Sequence, residues 1–344
     1  MRIGNSQFLM SLEINLKLSK INDILNEQSS KKIVIVTHKN PDGDGLACAM
    51  AMQLCLKHIY HADSTIVMDS EFPSFLNFLI TPETKIKSFR EFSEKFDLLI
   101  VLDCHETDRI DTKEQIFNNA NEVLVIDHHQ TKSEKLINGY HYYIDADAPS
   151  TGIIINRFLF PLIIEKDYSW KKNYADCIYT TILNDTDNFI NSNSDCEAYA
   201  CTSELFKLGL QPHTVTNEFL YKKKISYFQF LGKVFESIEL HANHKIVSFC
   251  SNLNMLSETN QTLESYSKMM RWTKGVTDVE IQVAFQEDEI NHYRISLRSD
   301  IHDVSKVAIH FGGGGHTKAA GFEMKGQYSQ IKKEVLDYIE CYIQ

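Results

Sequence analysis

Ile14, Leu18, Ile21 and Leu25 recur at helical spacing, which predicts an amphipathic helix ending near the polar run 26–32. The pattern then changes period. Ile33-Val34-Ile35-Val36, Thr65-Ile66-Val67-Met68, Leu98-Leu99-Ile100-Val101-Leu102 and Val123-Leu124-Val125-Ile126 are short unbroken apolar runs, with room for a helix between them. Runs of this kind predict a mostly parallel sheet buried on both faces. Three of the four are followed at once by acidic or histidine-rich residues, at 37–44, 103–108 and 127–129. Ligands of open α/β sheets lie outside the carboxyl ends of the strands, so these three segments should converge on one site.

A break at Gln211-Pro212 precedes the mixed polar and aromatic stretch Val215 to Leu240, which predicts one or two connecting helices. Ile246 to Cys250, Val279 to Phe285 and Tyr293 to Leu297 then predict strands, followed by Phe311-Gly312-Gly313-Gly314-Gly315-His316. No internal repeat is visible. The expected architecture is α/β in two lobes: an N-terminal, mostly parallel sheet flanked by helices over 1–210, a helical linker over 211–240, and a smaller C-terminal α/β lobe over 241–344. The active-site cleft is expected between them.

Composition narrows the function. The 344 residues carry 35 basic and 46 acidic side chains, a formal net charge of −11, which argues against coating of duplex DNA by general attraction to its phosphates. Eight scattered cysteines include no Cys-x-x-Cys pair and no zinc-type spacing, so reduced thiols are expected. No stretch approaches the roughly 20 apolar residues that span a bilayer, and no sustained apolar segment opens the chain. A cytoplasmic location away from membranes is expected.

The chemistry concentrates at the strand ends. His38-Lys39-Asn40-Pro41-Asp42-Gly43-Asp44 places one imidazole and two carboxylates on a tight turn. Taken alone, Asp-Gly-Asp is a common surface turn or helix N-terminus. Asp103, however, directly follows one apolar run, Asp127-His128-His129 follows the next, and Asn184-Asp185-Thr186-Asp187 forms a further acidic turn after Ile182-Leu183. Asp42, Asp44, Asp103 and Asp185 are four carboxylates whose mutual repulsion two divalent cations would balance. Oxygen and imidazole ligands suit Mn²⁺, with Mg²⁺ as the alternative. Two such ions about 3.5–4 Å apart can activate water and stabilise in-line displacement at phosphorus.

The order H-x-x-x-D-x-D, D, D-H-H and D-T-x-x-F resembles the four motifs of the DHH phosphoesterase superfamily, and the Gly-Gly-Gly-Gly-His run resembles the signature of the DHHA1 domain. The similarity spans roughly residues 31 to 322. Within the superfamily, length and domain pairing resemble the NrnA-type enzymes, which act on very short oligoribonucleotides and on pAp. The resemblance implies one metal held by His38, Asp42 and Asp103 and another by Asp44, Asp103, His128 and Asp185, with Asp103 shared. It implies that His129 faces the substrate phosphate and that Asp127 supports His128. In the second lobe it implies a phosphate clamp built from Arg298, Gly313, Gly314, Gly315 and His316.

Ser150 and Thr151 resemble a short family element near the site, without the glutamate that often follows it. Cys48 stands where the family usually has serine, which puts local phosphate contacts in doubt. His105, two residues after Asp103, is unusual and reads as a loop histidine or as a support for the site. Asp187 competes with Asp185 as a ligand, and the D-T-x-x-F position favours Asp185. The implied substrate is a short single-stranded oligonucleotide or small nucleotide, and a homodimer is left open. The alternatives are a dedicated pAp phosphatase, a cyclic or linear dinucleotide phosphodiesterase, and a nucleotide-binding sensor without turnover.

Overall fold

The computed structural model describes residues 18–29, 31–39, 41–91, 95–110, 115–129, 141–266 and 269–343, the side chains of Asp108, Gln115 and His316 excepted. The chain divides into two compact units, Met1–Lys222 and Lys223–Gln344.

The first unit opens with helix α1 (18–26), in which Ile21 and Leu25 are buried as their spacing predicts; Ile14 lies outside the described residues. It continues through β1 (Lys32–Val36), α2 (Gly43–His58), β2 (Asp63–Val67), β3 (Ile86–Lys87), β4 (Phe96–Leu102), α3 (Gln115–Asn118), β5 (Ala120–Asp127), β6 (His141–Ile144), α4 (Thr151–Ile164), α5 (Lys171–Asp185), α6 (Cys196–Phe206) and α7 (Pro212–Thr216). The sheet is parallel throughout, in the order β3-β2-β1-β4-β5-β6. Alternate residues of β1 enter different cores: Ile33 and Ile35 pack with α2, α4 and α5, whereas Val34 and Val36 pack on the other face with Phe117 of α3. An unbroken apolar run is what burial on both faces requires. The strand order reverses between β1 and β4, the crevice in which doubly wound sheets bind ligands.

The stretch expected to link the lobes is shared between two cores. Val215, Phe219 and Leu220 bury in the first, and Tyr227, Phe230, Leu231 and Val234 in a core of the second. The second unit comprises α8 (Ile225–Glu236), β7 (Glu239–His241), β8 (Ile246–Ser251), α9 (Leu253–Glu258), β9 (Ile281–Glu289), β10 (His292–Arg298), α10 (Val304–His310), β11 (Gly314–His316), β12 (Ala319–Lys325) and α11 (Tyr328–Ile343). Its sheet runs β11-β12-β10-β9-β8-β7 and is antiparallel except for β8 with β9. No helix among the described residues is long and apolar enough to cross a membrane.

Candidate metal centre

The three segments at the carboxyl ends of β1, β4 and β5 do converge. After β1 the chain carries His38, and Asp42 then caps α2 by accepting the amide N–H groups of Asp44 and Gly45 at 3.0 and 3.3 Å. Asp42 is therefore both a helix cap and a member of the acidic cluster, and its side chain is 46% exposed. Asp44, in the first turn of α2, is buried. Asp103 follows β4 with a left-handed φ of 61°, a conformation that costs a non-glycine residue about 1–3 kcal/mol and tends to mark functional positions. Asp185 differs from expectation: it is the last residue of α5, not part of the turn that follows.

Three groups of side chains each bring ligand atoms within 4.8 Å of one another: His38, Asp42 and Asp103; Asp44, His128 and Asp185; and Asp103, His128 and His129. Asp103 faces two ways. Its Oδ2 lies 3.5 Å from His38 Nε2, and its Oδ1 lies 3.6 Å from His128 Nε2. His128 Nε2 is also 3.0 Å from Asp185 Oδ2 and 3.7 Å from Asp44 Oδ2. Asp187 is in none of these groups; it begins a run of three left-handed residues with Asn188 and Phe189.

The supporting contacts come from elements far apart in sequence. The amino end of α4 is aimed at Asp44: Thr151 N–H donates to Oδ2 at 2.8 Å and Gly152 N–H to Oδ1 at 3.2 Å, where the helix dipole favours a negative charge. Thr151 Oγ1 donates to Asp103 Oδ1 at 3.0 Å. Asn184 donates to Asp42 Oδ2 and to Asp185 Oδ1, both at 2.9 Å, and accepts from Gly43 N–H at 3.3 Å. Cys48 is wholly buried in the core side of α2, so its thiol packs there.

The imidazoles depart from the expected division of labour. Asp127 does not hold the His128 ring; that ring meets the carbonyl of Ala148 through Nδ1 at 3.1 Å, which turns Nε2 toward the carboxylates. Asp127 Oδ1 instead accepts the amide N–H groups of His128 and His129 and the Nδ1 of His129, at 2.7, 3.1 and 2.8 Å. Its Oδ2 is taken by His105.

The electrostatics fit a cation site. Burial, then the charges of Asp185, Asp103 and Asp42, push Asp44 well above the usual carboxylate range. Burial also raises Asp103, against the hydrogen bond from His38. For His38 and His128, burial alone would lower the pKa, but the carboxylates facing each ring outweigh it and raise both to about 10. Asp185 Oδ2 is buried, and among the described residues it faces His128 Nε2 at 3.0 Å. Saturating the protein with Mn²⁺ at about a hundred times Kd should add roughly 2.7 kcal/mol per occupied site. Calorimetry with Mn²⁺ and with EDTA checks this, and equal melting temperatures would count against cation binding.

In the second unit the glycine run leads into a strand. Gly314 to His316 form β11, an edge strand paired with β12. A Cβ on Gly313 would overlap the Gly321 carbonyl and Phe322, and one on Gly315 would overlap Ala319 and Ala320, so close strand packing demands both glycines. Gly314 differs, because a Cβ there would meet open space. Arg298, the last residue of β10, pairs in register with Ala319, as does His316 from the other side of β12. The two thus occupy one row across the sheet, although the His316 side chain lies outside the described residues. Among the described residues the Arg298 guanidinium meets the Leu297 carbonyl at 2.9 Å and no carboxylate.

Comparison with known proteins decides the family. Residues 32–182 match the DHH family N-terminal domain, and residues 247–344 match the DHHA1 domain. The chain belongs to the DHH/DHHA1 family. It is 25% identical to the bifunctional oligoribonuclease and PAP phosphatase NrnA of Mycoplasma pneumoniae, over 94% of this chain and 97% of that protein. It is 26% identical to the NrnA of Thermus thermophilus over 89% of each. An exopolyphosphatase-related protein from Bacteroides fragilis shares the fold, with a TM-score of 0.83 over 95% of this chain and 97% of that one at 18% identity.

Proposed function

We propose that this DHH/DHHA1 phosphoesterase hydrolyses short oligonucleotides, dinucleotides among them, and pAp, with two divalent cations, Mn²⁺ before Mg²⁺. The observation that carries the reading is Asp103, whose two oxygens face two separate groups of ligand atoms. His38, Asp42 and Asp103 would hold one ion, and Asp44, Asp103, His128 and Asp185 the other. When bound, such ions polarise a phosphoryl oxygen and neutralise charge that develops at phosphorus.

The chain's own residues orient and exclude. Asp127 fixes the His129 ring through Nδ1, so that His129 can serve the substrate phosphate as a hydrogen-bond donor or proton source. Arg298, Gly314 and His316 are assigned to a second phosphate of the substrate, supported by a guanidinium that meets no carboxylate among the described residues. A net charge of −11 supports small, locally held substrates over duplex DNA. Eight free cysteines, six of them buried, support a reducing, cytoplasmic setting.

Initial rates with Mn²⁺ on pAp, pApA, pGpG, a cyclic dinucleotide and a trinucleotide test the reading. Turnover of pAp alone would make it a dedicated phosphatase, and tight binding without turnover would make it a sensor. A trinucleotide bearing a 5′-phosphate should be cut about tenfold faster than its dephosphorylated counterpart, since a charge-assisted contact contributes roughly 1.5–3 kcal/mol. Arg298→Ala should erase that preference. Gly314→Ala should do so too, with an unchanged melting temperature, because its methyl group enters open space. Equal kcat/KM ratios for the substrate pair in wild type and both variants would remove the phosphate-binding role.

A further inference from the structure

We propose that His105 is a positioning residue for His129, acting through Asp127, so that the imidazole serving the phosphate is held by a His-Asp-His chain. The inference rests on the role given to His129 above. His105 lies in the loop after β4 and is 3% exposed. Its Nδ1 hydrogen-bonds to Asp127 Oδ2. The other oxygen of that carboxylate is fully engaged by the D-H-H segment itself, through the His129 ring and two backbone amides.

A carboxylate held through one oxygen can rotate about its Cβ–Cγ bond. Held through both, its plane is fixed, and with it the direction from which His129 Nδ1 is gripped. A carboxylate accepts, so Nδ1 carries a proton on each ring, which leaves the Nε2 of His129 for the phosphate. Among the described residues His105 Nε2 is buried without a hydrogen-bond partner. Burying such a nitrogen is unfavourable, and an apolar residue of similar size would pack there at lower cost. The bond to Asp127 is what histidine offers at this position and leucine does not.

Three variants separate positioning from packing. His105→Leu fills the space but leaves Asp127 Oδ2 without its donor. His105→Asn sets an amide N–H near the place of Nδ1, and His105→Gln sets it near Nε2, out of reach of Asp127. The leucine and glutamine variants should lose about tenfold or more in kcat, with KM and Mn²⁺ stoichiometry unchanged, while asparagine recovers most of the rate. In ¹⁵N-histidine-labelled protein, the downfield Nδ1–H resonance of His129 should move in His105→Leu and stay in His105→Asn. In a His129→Ala background, His105→Leu should add less than about a twofold loss.

Additive losses in the double variant, wild-type kcat in His105→Leu, or equal losses in the asparagine and leucine variants would overturn the inference while His129 keeps its role. Wild-type kcat in His129→Ala alone would remove that role, and the inference with it. If the leucine variant does not fold, the asparagine and glutamine pair carries the same comparison.

Discussion

Asp103→Ala should lower kcat on the order of a thousandfold or more, the largest loss from any single substitution in the chain. Cation stabilisation of a phosphoryl transition state is worth several kcal/mol, and each 1.36 kcal/mol is about a factor of ten. Every other proposed ligand belongs to one side of the centre, whereas Asp103 presents Oδ2 to the His38 side and Oδ1 to the His128 side. Its left-handed backbone and its hydrogen bond from Thr151 fix that orientation. Arg298→Ala is the control, with an expected loss of about tenfold, confined to substrates bearing the second phosphate. Single-turnover rates at saturating Mn²⁺ make the comparison. An Arg298→Ala loss as large as that of Asp103→Ala, with metal content intact, would contradict the assignment.

Gly152→Ala should be the second most damaging change, although Gly152 carries no side chain. Its amide donates to Asp44, and a Cβ there would overlap the Oγ1, Cβ and Cγ2 of Thr181 on α5. Thr181 is wholly buried and hydrogen-bonded to Ser150 and to the Ile178 carbonyl, so it has little room to give. Relief requires α4 to move away from α5, which draws the amides of residues 151 and 152 off the Asp44 carboxylate. Overpacking of this kind costs about 1–3 kcal/mol of stability, and the lost positioning should lower kcat about a hundredfold. Urea denaturation and steady-state kinetics report the two effects separately. Wild-type values in both would mean that α4 does not position Asp44.

The centre was legible in sequence wherever a side chain follows an apolar run. His38, Asp103 and His128 stand where a buried parallel strand has just ended, and Asp42 and Asp44 at the start of the helix after β1, positions the doubly wound sheet turns into a crevice. The expectation of a turn failed for Asp185 because the helix that holds the short apolar pair Ile182-Leu183 runs on through it, and two residues carry no period. The supports were harder to see. The Ala148 carbonyl and the Gly152 amide are backbone groups with no compositional signal. Asn184 reaches Asp42 across 142 positions of sequence. Ser150 and Thr151 were visible only through resemblance; the structure makes Ser150 the cap of α4 and Thr151 a donor to Asp103. The glycine run gave no sign of an edge strand, because glycine signals conformational freedom as readily as close approach. At Gly313 and Gly315 the reason is the packing of β11 on β12.

A pair of cations sharing Asp103 would show directly in anomalous diffraction from crystals grown with Mn²⁺. Two manganese peaks are expected about 3.5–4 Å apart, one bounded by His38 and Asp42, the other by Asp44, His128 and Asp185, with one oxygen of Asp103 on each. A single peak, or two peaks of which only one touches Asp103, would contradict it.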